Sequence, residues 1–424
     1  MKIIIISILF ISQINGQNYD FHDFQITNNN NAYPSNIFIH TMGSQPSYIA
    51  IIDSMLTPSW FINSGGLGID FKVNQEVLTF FNKERQEWIV LNDKMIEIDT
   101  LKCANGYAPD YHDIQILDDG GYILQIYDSL IVNMSDIVEG GNSNAIVIYL
   151  IIQEFDQNKN LIFEWNAWDH LEISDYTNLD LTRQRLTWMH GNSIEIDSDL
   201  NLLISNRRSS EILKIDRITG DVIWFLGGPN NEFTFVDDSL NGFSKQHDVR
   251  RLQNGNILLF DNGNGHNPPI SRALEYAIDN TNKTASLIWG FSHPEYLVGL
   301  AMGSIQRLPN NNTLINWGTL HNNGAIVTEV DYDKNILLEL RFPENVRCYK
   351  VRKDDWSFST NMIPGDANMD GKVDILDLIY IIDYSSQDNF ELSTFYLFRY
   401  DLNNDRMFTE LDIELSVQKI ISGN

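Results

Sequence analysis

Four stretches of the chain decide its fold: HDIQILDDGGYILQI (112–126), HGNSIEIDSDLNLLIS (190–205), HDVRRLQNGNILLFD (247–261) and MGSIQRLPNNNTLINWG (302–318). In each, apolar and polar residues alternate on both sides of an Asp, Asn or Gly turn, which is the period-two signature of a β-hairpin. A looser copy, GIDFKVNQEVLTFF, begins at Gly68. A second hairpin type lies between them, from YIAIIDSMLTPSWF at Tyr48 to AIVTEVDYDKNILLEL at Ala325. Its six copies turn at Asp53, Asp93, Asp156, Asp216, Asp279 and Asp331, which are 40, 63, 60, 63 and 52 residues apart. Two hairpins per unit make a four-stranded sheet, and six units predict an all-β, six-bladed β-propeller over residues 35–357. A sandwich has no need of six similar units.

Outside that body the composition changes. MKIIIISILFISQINGQ reads as a secretory signal peptide over residues 1–16, with a buried first strand as the alternative. Residues 17–34 are polar, include Asn28 to Asn31, and read as a flexible leader. The expectation is an exported protein, periplasmic or extracellular. No later apolar run is long enough to span a membrane. Lys and Arg total 29 against 57 acids, a net charge of −28. Such a surface repels phosphate backbones and anionic lipid, which excludes nucleic acid and membrane surfaces as expected partners. Cys103 and Cys348 either bridge in an oxidising compartment or remain two thiols.

The histidines suggest where function sits. Only nine occur in the chain. His112, His190 and His247 open hairpins whose first strand lines a propeller's channel, and His321 closely follows the strand in NTLINWG. One such histidine reads as a turn cap; four in comparable places read as a site. Metal-binding spacings such as H-x-H or H-E-x-x-H are absent, as are phosphate-binding glycine loops, so no nucleotide cofactor is expected. Cys348-Tyr349-Lys350-Val351-Arg352 lacks the proline of a sulfatase C-x-P-x-R signature.

The stretches WMHGNSIEID (188–197), SNRRSSEILKID (205–216), QHDVRRLQNGNILLFDNGNG (246–265), SRALEYAID (271–279) and NTLINWGTLH (312–321) resemble the bacterial arylsulfate sulfotransferases. The resemblance spans roughly residues 40–355. It implies a six-bladed propeller that moves a sulfuryl group from an aryl sulfate donor to a phenolic acceptor through a sulfohistidine. Carried over by position, it makes His321 the sulfated residue and His190 and His247 its catalytic partners. The family's Arg after FDNG-x-G is His266 here, so Arg272, six residues on, is expected either to take its place or, as part of the strand start, only to orient the loop. His266, Asn192 and His112 are expected to contact substrate. A propeller that has lost catalysis and only binds a sulfated or aromatic ligand is the alternative, favoured by the missing Arg at 266.

Residues 364–424 form a different unit. GDANMDGKVDILDLIYII places Asp366, Asn368, Asp370, Gly371, the Lys372 carbonyl, Asp374 and Asp377 at the alternating positions of a calcium loop. A second loop offers Asp401, Asn403, Asp405 and Asp412, with Arg406 where the first has Gly371, so weaker binding is expected there. Helix-like spacing follows the first loop from Ile375 to Ile382. The paired loops, closed by Asp rather than Glu, resemble dockerin modules, which implies structural calcium and a possible cohesin-type partner.

Overall fold

The structure, a computed structural model, describes residues 21–66, 68–358, 364–368, 372–385, 399–403, 405 and 407–422. The expected signal peptide lies outside them, as do Asp370, Gly371 and Arg406. The described residues from His22 to Phe358 form one compact unit, and those from Pro364 onward belong to a second.

The first unit is a six-bladed propeller. Blades 2 to 6 begin with the inner strands Gly68–Asn74, Ile114–Ile116, Gly191–Ile196, His247–Arg251 and Ser304–Arg307. Each is followed outward by three antiparallel strands in chain order. Blade 1 lacks an inner hairpin of its own. Its inner strand is Arg347–Asp354, paired with Asn36–Met42, so the two ends of the domain close the ring. The CYKVR segment is therefore a channel-lining strand. Inner strands neighbour one another around the channel, Arg347–Asp354 lying between Gly68–Asn74 and Ser304–Arg307.

The hairpin turns confirm the sequence reading in detail. Asp53, Asp156, Asp216 and Asp279 each accept two backbone N–H groups of their own turn. In blade 2 the residue that does so is Asn92, not Asp93. Trp60, Trp88, Trp165, Trp224 and Trp317 are almost fully buried.

The leader needs correction. Gln25–Asn29 forms a fifth, outermost strand of blade 6, paired with Ile336–Arg341. An exposed sheet edge offers unpaired backbone donors and acceptors, and a short polar segment suffices to cover it. Cys103 and Cys348 are both free thiols.

Inside the channel a charged ladder joins the blades. Asp113 contacts Lys72 at 2.6 Å, Arg250 at 2.8 Å and Lys350 at 3.4 Å. Asp248 contacts Arg250 at 2.8 Å and Arg352 at 2.5 Å. Burial would raise the Asp113 pKa, but Arg250, Lys350 and Lys72 together hold it well below the usual carboxylate range. Stripping one partner from such a buried pair typically costs about 3–5 kcal/mol. Each anchored aspartate directly follows a histidine, so the ladder fixes where His112 and His247 begin their strands.

The second unit contains helices Ile375–Ser385 and Glu410–Ser422 around a small core of Ala367, Ile381 and Tyr400.

Candidate active site

In every blade the start of the inner strand lies beside the end of the second strand. His112, His190 and His247 precede or open inner strands, and the loops holding Arg207, His266 and His321 follow second strands, so topology brings all six to one mouth. Side-chain contacts then separate them.

His112 and His190 meet edge to face, with ring centroids 4.7 Å apart. Tyr111 stacks on His112 at 4.3 Å and Tyr127 on His190 at 5.6 Å. The His112 Nδ1 lies 2.5 Å from Asp110 Oδ1, which also accepts the His112 backbone N–H and the Gln125 amide. A carboxylate there keeps the proton on Nδ1 and leaves Nε2 as an acceptor. Gly191 permits the close approach, because a Cβ on it would lie 2.6 Å from Gln125 Oε1.

His247 is fixed in the same tautomer by an amide. The Asn262 NH2 donates to the Gly299 and Met302 carbonyls at 2.9 and 3.0 Å, which turns its Oδ1 to His247 Nδ1 at 2.5 Å. Burial, reinforced by Arg207, pushes the His247 pKa down to about 3. Burial also holds His190 well below its ordinary value, aided by the positive potentials of His112, His247, Arg207 and Arg208. Both rings are neutral at pH 7, the form in which an imidazole is a nucleophile or base.

Cations without counterions stand beside them. The Arg207 backbone N–H donates to the His190 carbonyl, its Nη2 reaches Leu300 O at 3.0 Å, and its buried Nε has no partner. Lys245 Nζ donates to Arg208 O at 2.6 Å. Among the described residues, Arg207, Arg208 and Lys245 have no carboxylate within ion-pairing distance, in a chain whose acids outnumber its bases almost two to one. That is an arrangement for an anion. Sequence reasoning quoted Arg207-Arg208 but gave them no role, and it missed Asp110, Tyr127 and Asn262. The available signal was the position of the Arg pair, one residue after a second strand and level with His190.

The other expected site residues are engaged differently. Arg272 donates through Nε to Asp261, Nη1 to Asp238 and Nη2 to Gly242 O, at 2.9, 2.7 and 2.6 Å. His266 Nε2 lies 3.0 Å from the same Asp261. The Arg272 guanidinium is thus neutralised and spent on holding a loop. Asn192 is fully buried and donates to Gln246 O at 2.7 Å, behind His247. His321 is exposed, and among the described residues no hydrogen bond or ring contact joins either it or His247 to the His112–His190 pair. A cavity of about 770 Å³ lies at the opposite ends of the inner strands, lined by Asn254, Arg307, Tyr332 and Asp354 among others. Its lining cations are paired, Arg307 with Glu275 and Lys353 with Glu329, and it holds none of the histidines.

The arylsulfotransferase (ASST) family profile matches residues 47–350, which covers the histidine cluster and Arg207. The chain belongs to the arylsulfotransferase family. The dockerin type I profile matches residues 364–420, so the arylsulfotransferase propeller is followed by a dockerin domain. Among curated proteins none matches this arylsulfotransferase. Similar solved structures include a protein of unknown function from Bacteroides caccae, at 13% identity over 76% of this chain and 99% of that one, with a TM-score of 0.48. A streptogramin B lyase matches at 10% identity over 78% and 98% of the two chains, with a TM-score of 0.41.

In the dockerin domain the closing acids span their loops. Asp377 accepts the Asn368 and Asp374 N–H groups, and Asp412 accepts those of Leu402 and Thr409. Asp366, Asp377, Asp401, Asn403 and Asp412 are buried. Among the described residues no helix is long and apolar enough to cross a membrane.

Proposed function

We propose that the protein transfers a sulfuryl group from an aryl sulfate to a phenol by a ping-pong route through a sulfohistidine, without a nucleotide donor. The observation that carries this reading is a neutral imidazole, His247, anchored at Nδ1 by Asn262 and flanked by an arginine without a counterion. The Nε2 of His247 attacks sulfur as the sulfur–aryl oxygen bond breaks, and the departing phenolate takes a proton from solvent or from a histidinium. A second phenol gives its proton to Nε2 of His112, backed by Asp110, and its oxygen attacks sulfur as the sulfur–nitrogen bond breaks. Arg207 and Arg208 hold the sulfuryl oxygens, whose charge must be stabilised during each displacement. Family position points to His321 as the sulfated residue; the tautomer set by Asn262 and the neutrality imposed by burial favour His247.

Incubating the chain with a chromogenic aryl sulfate alone tests this directly. The expected result is one acid-labile sulfuryl adduct per chain, lost on adding phenol. No adduct together with no turnover would leave the non-catalytic binding module as the reading. That alternative drew on the missing Arg at position 266, and Arg207 now supplies a guanidinium.

The dockerin domain is proposed to bind calcium through Asp366, Asn368, Asp370, the Lys372 carbonyl, Asp374 and Asp377, and through Asp401, Asn403, Asp405 and Asp412. Its helix Ile375–Ser385 exposes Ile375, Leu376, Ile379 and Tyr380, a face suited to a cohesin-type partner outside the cell or in the periplasm.

A further inference from the structure

The second and third strands of blade 3, Tyr122–Val132 and Ala145–Phe155, have 11 residues each, whereas the second strand of blade 4, Leu202–Asn206, has 5. Tyr122 pairs with Ile116 as Leu202 pairs with Ile196, so both second strands start at one level. The segment from Tyr127 to Val132 therefore runs past the mouth by about 20 Å of strand, at roughly 3.3 Å per residue.

Alternation assigns its faces. Gln125 and Tyr127 both donate to the Gly191 carbonyl, at 2.9 and 2.5 Å, so their face is turned to blade 4 and His190. Ser129 and Ile131 follow on that face. Across the ladder, Tyr127, Ser129 and Ile131 stand opposite Leu150, Ile148 and Ile146. Arg185–Thr187 adds a parallel strand that sets Arg185 beside Ile146 and Thr187 beside Ile148. The reverse face, with Val147 and Tyr149, is packed into the core. The face toward blade 4 is open: Ile131 is 76% exposed, Arg185 is exposed, and Ile146 and Ile148 are half-buried. Among the described residues Arg185 has no ion pair.

We infer that this ribbon face is the wall on which the aromatic acceptor lies. An extended ring system packs along Ile148, Ile146 and Ile131 with its hydroxyl at the histidines, and an anionic substituent at its far end meets Arg185. The occupant is a small aromatic rather than a protein, because Tyr127 belongs both to this face and to the histidine cluster. The apolar strip is thus continuous with His112 and His190 and ends on one unpaired cation. The inference rests on the sulfuryl-transfer reading of the mouth and names its acceptor class: elongated, apolar phenols carrying a distal acid.

The test compares phenol, para-phenylphenol and a hydroxybiphenyl carboxylate as acceptors, with calorimetric binding of para-phenylphenol to the full chain alongside. Ile131→Ser and Ile146→Ser should lower kcat/KM for para-phenylphenol about tenfold, the effect of losing an apolar contact, and for phenol by less than about twofold. Arg185→Gln should produce a loss confined to the carboxylate. Equal losses on phenol and para-phenylphenol, or none on either, would overturn the wall. No transfer by the unaltered chain to any acceptor would instead overturn the proposed function. Weaker para-phenylphenol binding in Ile131→Ser would then still support the wall, and unchanged binding would overturn it.

Discussion

His247 and Asn262 face each other across blade 5, Nδ1 to Oδ1 at 2.5 Å, and the Asn262 amide cannot turn because two backbone carbonyls hold its NH2. The contact sets the tautomer of a buried neutral histidine without adding a charge to it. A carboxylate at 262 would stabilise the imidazolium, making the ring a poorer nucleophile at low pH, and would set its second oxygen against those two carbonyls.

That difference gives the first prediction. His247→Asn should abolish both the sulfuryl adduct and turnover, while His321→Asn should keep both. Asn262→Asp should move the acid limb of the donor reaction to higher pH, because its charge raises the His247 pKa, and should destabilise the fold, because its second oxygen faces the Gly299 and Met302 carbonyls. An adduct mapped by peptide mass spectrometry to residue 321 would return the nucleophile to the position suggested by family resemblance.

Arg207 and Arg272 should fail in different ways. Arg207→Gln removes an oxyanion donor and should lower kcat by about 10²–10³, the usual effect of losing one such group, with little change in melting temperature. Arg272→Gln leaves Asp238 and Asp261 buried without their cation. Its main effect should be on stability, about 3–5 kcal/mol for a broken buried pair. Chemical denaturation beside steady-state kinetics separates the two, and a stable but inactive Arg272→Gln would restore that residue to catalysis.

Buried histidines also set an acid limit. Burial holds the His40 pKa at about 4 and that of His247 at about 3, with His190 likewise depressed, whereas unfolded histidine titrates near 6.5. The folded state keeps these rings neutral while the unfolded chain binds protons. Their stability is therefore complete above about pH 6.5 and is lost as pH falls toward 4 for His40 and 3 for His247. Each proton contributes a slope of about 1.4 kcal/mol per pH unit. In denaturant titrations, His40→Asn should flatten the slope between pH 6 and 4.5 by about one proton; an unchanged slope would refute the assignment.

The fold was legible because propeller hairpins repeat, and six Asp turns at similar spacing carry that information locally. Blade 1 was harder to read, since Asn36–Met42 and Arg347–Asp354 meet only when the ring closes. The strand Gln25–Asn29 was missed because an edge strand of polar residues has no apolar alternation to reveal it. At the site, His190 and His247 were legible as residue types opening repeated strands. Arg207 and Arg272 were not separable by sequence: each follows or opens a strand near the mouth, and only the buried carboxylates Asp238 and Asp261 show which guanidinium is already neutralised.

The last prediction concerns the dockerin loops, whose closing acids each tie two backbone N–H groups. Calcium titration of the full chain should show a tighter step for the loop Asp366–Asp377 and a weaker one for Asp401–Asp412. The sequence basis is Gly371 in the first loop, at the position where calcium loops of this kind turn sharply, against Arg406 in the second, which adds a Cβ and a positive charge. Asp377→Ala should remove the tighter step and Asp412→Ala the weaker, each leaving the other. Sulfuryl transfer should be unchanged in both variants and in chelator, because His112, His190, His247 and Arg207 belong to the propeller unit. Two steps of equal affinity would refute the glycine argument, and loss of transfer on chelation would refute the independence of the two units.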